Sequence, residues 1–190
     1  MRHRIILIAF VISILAKAPP SFSTTTYQPI TFVRKVLEDH FAGRSLNWTD
    51  RSEVNLPDGG LFITISKGGK TRACWGNVER RYSTASQALL YTSLNAVTKE
   101  YRFQPIQESE IPQLKIQITV IQDQQPIMRL QGQNPLRDGL MVRLGSRSAV
   151  ILPGEALSAH HQWVLAKLKA GIPTGQPHQL YRLRTKIYRE

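Results

Sequence analysis

The single cysteine of the chain lies in TRACWGNVERRY (71–82), where Cys74 is flanked by Arg72, Trp75, Gly76 and Asn77. A thiol reacts as its thiolate, and a neighbouring guanidinium favours that form. Arg72 stands two residues before Cys74, so a regular strand would put both on one face. Asn77 could supply a polar contact from the loop that follows. This set supports covalent catalysis at Cys74, for which His160 or His161 would have to arrive through the fold as acid–base partner. The same residues support a non-catalytic ligand- or partner-binding groove around Arg72, Trp75, Gly76 and Asn77. A free cysteine is also often a buried, inert small hydrophobe. All three readings stand on sequence alone. Arg80 and Arg81, beside Tyr82, form the densest basic and aromatic spot. They could bind a phosphate near the start of a following helix or form a solvated helix entrance.

Several chemistries are excluded. SKGGKT (66–71) lacks the first glycine of a phosphate loop and reads as a hairpin turn. There is no dinucleotide fingerprint and no HExxH pair. His160 and His161 are adjacent, so on a helix they point about 100° apart and cannot chelate together. One cysteine permits neither an internal disulfide nor a cysteine-based zinc cluster. No metal or cofactor is therefore expected. The chain has 190 residues and a formal net charge of +12, with equal excess in residues 1–95 and 96–190. An even excess supports weak attraction to polyanions, so nucleic-acid binding through a basic surface is a further reading. The aromatic platforms of an RNA-reading sheet are missing.

The elements that must position these residues follow from periodicity. Residues 29–42 read as a helix with a stripe Phe32/Val33, Val36/Leu37, His40/Phe41, ended by Gly43. Residues 61–78 read as a hairpin turning at KGGK (67–70), with Leu61, Ile63 and Ile65 on one face. Residues 83–100 form a second helix and 101–112 a connection. Residues 113–121 alternate as a strand. GLMVRLGSRSAVIL (139–152) gives two strands around 145–147, and the nearly continuous apolar SAVIL predicts a central strand. Residues 158–171 form a third helix with Ser158 as N-cap and a stripe His161, Leu165, Leu168. Residues 181–190 alternate as a last strand with basic residues on one face. The order predicts an α+β protein with a mixed or antiparallel sheet and about three packed helices in one compact unit.

Residues 1–22 stand apart. Arg2 and Arg4 precede the apolar run 5–16, and Ala16 and Ala18 follow in an Ala-x-Ala pattern. This reads as a signal peptide or membrane-anchor-like leader, with any membrane contact confined to residues 5–16. The protein is then exported or anchored if the leader functions, and cytoplasmic otherwise. Residues 23–28 read as a linker, and 29–190 as the folded domain.

GGLFITISKGGKTRACWGNV (59–78) resembles the signature region of the AMME-syndrome chromosomal-region (AMMECR1) protein family, also called the A component of the AmmeMemoRadiSam system. Arg72, Cys74 and Gly76 match its Leu-Arg-Gly-Cys-Ile-Gly core, with Thr71, Ala73 and Trp75 at the remaining positions. YRFQPIQESEIPQLKIQITVI (101–121), PLRDGLMVRLGSRSAVILPGEA (135–156) and HQWVLAKLKAGI (161–172) resemble three further family segments, in the same order. The resemblance implies a fold with a larger and a smaller lobe packed together. It implies Arg72, Cys74 and Gly76 as site positions. It also implies a binding or accessory role in a modification pathway, with Memo-like and radical SAM proteins as partners. It implies no oligomeric state.

Overall fold

The computed structural model describes residues 24–190. The leader expected over 1–22, with its apolar run 5–16, lies outside the described residues. The stretch expected as a linker is partly structured: β1 (Thr25–Tyr27) pairs in parallel with β2 (Ser52–Val54).

Helix α1 (Pro29–Phe41) starts on a proline whose fixed φ suits a first turn, and Phe32, Val33, Val36 and Leu37 are fully buried. Its stripe runs on to Phe41, which is half-buried against the same core, with His40 half-buried beside it. Asp39 is buried as well, because the side chains of Lys35, Arg44 and Trp48 all donate to its carboxylate. Strands β3 (Gly60–Lys67) and β4 (Lys70–Asn77) form the expected hairpin, turning on Gly68 and Gly69 at φ 55° and 76°. Helix α2 (Ala85–Thr98) is capped by Thr84, whose hydroxyl accepts from the Gln87 N–H at 3.2 Å.

Strand β5 (Lys115–Ile127) is longer than the sequence pattern indicated. A register shift between Ile121 and Asp123 breaks the alternation, yet pairing with β8 (Gln179–Arg189) continues beyond it. Strands β6 (Asp138–Leu144) and β7 (Arg147–Ile151) form a second hairpin. Together these strands make one antiparallel sheet in the order β4-β3-β5-β8-β6-β7. The three helices cover one face. α1 and α2 pack on the β3–β5 half as the larger lobe, and α3 (Ala159–Ala170) packs on β6 and β7 as the smaller.

Two expectations fail here. The apolar SAVIL segment forms the edge strand β7, not a central one. It is apolar because Ala149 and Ile151 face α3 while Val150 joins the cluster on the opposite face. The buried stripe of α3 is Gln162, Ala166, Lys167 and Ala170, not His161, Leu165 and Leu168. The two alanines allow close approach to β6 and β7. Gln162 is fixed there by bonds from its amide to Asp138 O and Ile151 O and by one accepted from Gln133.

The face away from the helices decides where the site lies. Phe62 of β3 and Cys74 of β4 share one cluster with Met141 of β6, Val150 of β7 and Leu183 of β8. A flat six-stranded sheet would hold its two edges far apart. This sheet curls, so edges β4 and β7 face each other across an open seam.

Candidate functional site

The β3–β4 ladder pairs Ser66 with Thr71 and Ile65 with Ala73, leaving Arg72 as an extra, bulged residue. The extra residue upsets the two-residue alternation on which the expected Arg72–Cys74 pairing rested. Arg72 turns to Glu110, with Nη2 donating to Oε2 at 2.8 Å and Nε to Oε1 at 3.3 Å. Lys67 Nζ and the Gln107 N–H donate to the same carboxylate. The bond from Arg72, followed by that from Gln107, holds Glu110 down to about 2. Arg72 is thereby a strut between the hairpin and the short 3₁₀ turn Glu108–Gln113.

Cys74 is half-buried on the inner face, and the Thr64 hydroxyl donates to its sulfur at 3.4 Å. Burial pushes the thiol pKa up. The Thr64 bond and the charges of Lys169 and Arg102 oppose that without overcoming it, and Glu155 adds to it. The sulfur is therefore a neutral thiol at physiological pH. The guanidinium near it belongs to Arg102, and that group is paired with Glu100.

The backbone of Cys74 explains this pair. β4 is an edge strand, so the main-chain groups of Cys74 point out of the sheet. The Cys74 N–H donates to Glu100 Oε2 at 3.3 Å, and Arg102 Nη2 donates to the Cys74 carbonyl at 2.9 Å. Arg102 Nε closes the ring of contacts on Glu100 Oε1 at 2.9 Å. The Glu100 side chain is only 3% exposed, and the bond from Arg102 is the main cause that lowers its pKa. Two side chains from the segment after α2 thus imitate one residue of a missing neighbour strand. On the facing edge, Lys169 Nζ donates to the Val150 carbonyl at 2.9 Å.

Between these edges lies a groove of about 600 Å³. Phe62 and Met141 floor it, Cys74 and Asn77 line one wall, Ser148 and Val150 the other, and Tyr101, Arg102 and Lys169 form its rim. Tyr101 is 88% exposed. Asn77 offers an amide to the groove, and Trp75 borders it while packing against the large-lobe core. Gly76 is sterically required: a Cβ there would sit 2.3 Å from the Leu61 carbonyl oxygen and 2.5 Å from the Phe62 ring.

Other sequence candidates lie elsewhere. Neither His160 nor His161 lines this groove; His161 is exposed, and His160 packs against Trp163 in the smaller lobe. Arg80 is engaged by Asp58 and the carbonyls of Tyr82 and Ser83, so it braces the loop into α2. Arg81 is exposed, and Tyr82 stacks on Tyr91 with ring centroids 5.2 Å apart. Among the described residues no cluster of three or more His, Cys, Asp or Glu is placed to hold a metal, and no helix is long and apolar enough to cross a membrane. Sequence reasoning missed Glu100, Arg102, Tyr101 and Lys169. Their signal was indirect: an edge strand needs its outward groups covered, and only the fold shows what covers them.

The AMMECR1 family model matches residues 30–189 of the chain. A protein of Methanothermobacter thermautotrophicus is 27% identical over 179 residues, covering 84% of this chain and 88% of its own. A protein of Thermotoga maritima is 26% identical over 134 residues, covering 68% and 77%. The crystal structure of an uncharacterised protein from Pyrococcus horikoshii superposes with a TM-score of 0.71 at 19% identity, over 85% of this chain and 89% of that one.

Proposed function

The chain belongs to the AMMECR1 family, and from that premise we propose that it is a binding module whose β4–β7 seam receives an extended segment of a partner protein. The observation that carries this reading is the pair of open sheet edges facing each other across an apolar floor. An antiparallel ladder alternates, so the main-chain groups of Gly76 point the same way as those of Cys74, and those of Ser148 the same way as those of Val150. Glu100, Arg102 and Lys169 cover only Cys74 and Val150. The neighbouring outward groups are left for a guest strand. Main-chain pairing would supply affinity, and alternate guest side chains over Phe62 and Met141 would supply specificity. Gly76 lets a guest backbone approach where any side chain would interfere.

A cysteine-dependent enzyme is the weaker reading. Burial raises the pKa of the Cys74 thiol, Arg72 is committed to Glu110, and no histidine among the described residues lines the groove. Binding of nucleic acid through the basic surface has less support still. Arg34, Arg44, Arg72, Arg80 and Arg102 are each paired with a carboxylate.

Memo-like and radical SAM proteins are the partners to test first. Complex formation should slow exchange of the Gly76 and Ser148 amides at least about tenfold, as new ladder bonds would. Tyr101→Ala with Asn77→Ala should weaken the complex without unfolding the protein. A complex that leaves both edges exchanging at their free rates would refute the seam as the docking site. Failure of both proteins to bind would remove them as partners.

A further inference from the structure

On another flank of α3, away from the seam, a second pocket of about 540 Å³ lies between Met128–Leu130, α3 and residues 174–180. Its floor is a fixed aromatic array. Trp163 Nε1 donates to His178 Nε2 at 2.8 Å, and His178 Nδ1 donates to the Gln176 carbonyl at 2.8 Å. Both ring nitrogens of His178 are thus used, which sets the Nδ1–H tautomer. The rings of Trp163 and His178 stack 21° from parallel, with His160 tilted against Trp163. Met128, 96% exposed, stands at the rim as a flexible apolar side chain.

One residue in this pocket carries an available charge. Lys167 is only 8% exposed, and its ammonium lies 4.7 Å from the centroid of the Trp163 ring. That cation–π contact offsets part of the desolvation of the charge. The stem is buried while the ammonium keeps contact with solvent at the pocket, since no buried side-chain nitrogen or oxygen of the described residues lacks a partner. No lining residue is acidic, and the other charged one, Arg129, is also a cation. The volume falls in the range of small-molecule sites. One ammonium beside aromatic and aliphatic walls suits a single negative charge on an apolar body better than a phosphate dianion.

We propose that this pocket binds a small carboxylate with an aromatic or branched apolar skeleton. The carboxylate pairs with Lys167, and the skeleton packs on Trp163 and Leu180. The test is titration of the full chain with 3-phenylpropionate, indole-3-propionate and 4-methylpentanoate, followed through the Trp163 indole N–H resonance. Trp163→Phe identifies that resonance. At least one acid should shift it saturably, and 3-phenylpropionamide should bind about tenfold or more weakly, the loss expected for a charge-assisted bond. Lys167→Met should abolish the preference for acid over amide. It should also keep the melting temperature, because methionine preserves the buried stem and the ammonium makes no ion pair that holds the fold. Three results would overturn the proposal: no saturable shift with any acid up to about 10 mM, equal binding of acid and amide, or a lower melting temperature for Lys167→Met with binding intact. A peptide with a free C-terminal phenylalanine that binds about tenfold tighter than every free acid would overturn the small-molecule source in favour of a polypeptide terminus.

Discussion

The seam and the small-lobe pocket sit on different flanks of α3, two residues apart in sequence at Lys169 and Lys167, and they treat charge in opposite ways. At the seam, Glu100 and Arg102 neutralise each other and close on the backbone of Cys74, and Lys169 is spent on the Val150 carbonyl. Burial, against the pull of Arg102 and Lys169, pushes the pKa of the one cysteine thiol up. In the small-lobe pocket the Lys167 ammonium lies over the Trp163 ring with no acidic residue in the lining, and its charge is available. A reactive side-chain type and an available charge are separate properties, and here they occupy separate places. The first lies where edges are finished by side chains, the second where an ammonium meets aromatic walls.

The contrast can be broken most severely at Gly76, in the β4 wall of the seam. Gly76→Ala should destabilise the protein by about 3 kcal/mol, because the new Cβ meets main chain and a ring that cannot both move. Chemical denaturation measures it, and a change below about 1 kcal/mol would mean that the hairpin gives way more easily than its close contacts indicate.

Gln162→Ala should cost about 2 kcal/mol. It removes the bonds from Gln162 to the Asp138 and Ile151 carbonyls and the one it accepts from Gln133, and opens a cavity under α3. If Gln162→Leu were as stable as the original protein, the polar anchor would be dispensable to the small lobe.

Acid should loosen the larger lobe through Glu110 and Glu100, both of which have pKa values lowered in the fold. Such groups bind protons more weakly folded than unfolded. The stability they contribute is complete above the ordinary value of 4.5 and is lost as pH falls through the folded values, about 2 for Glu110. Glu110→Gln should flatten the decline in denaturation midpoint between about pH 4.5 and 2. An unchanged slope would show that the Arg72 strut carries no pH-dependent stability.

Cys74→Ala should have the smallest effect, about 1 kcal/mol, since it removes one weak hydrogen bond and a small half-buried side chain. Partner binding should survive it.

Much of this arrangement was legible in the sequence. The period-two run Leu61, Ile63, Ile65 and the glycine pair 68–69 dictate the β3–β4 hairpin, and Ser158 caps α3 as its position suggested, accepting from the His161 N–H at 3.1 Å. The bulge at Arg72 was not legible, because it depends on Glu110, thirty-eight residues away. SAVIL looked central because a covering helix and an inner cluster together hide both faces of an edge strand. The stripe of α3 was misread because its anchor is a glutamine, which hydropathy counts as surface.

The central claim is that Cys74 lines a wall of a binding seam as a neutral thiol. The most direct test is its alkylation rate by a small reagent in the folded protein from about pH 5 to 10, with unfolded protein as reference. The account predicts labelling much slower than in the unfolded chain, with an inflection above the ordinary value of 9.0. Fast labelling at neutral pH with an inflection below that value would contradict it and make Cys74 a reaction centre.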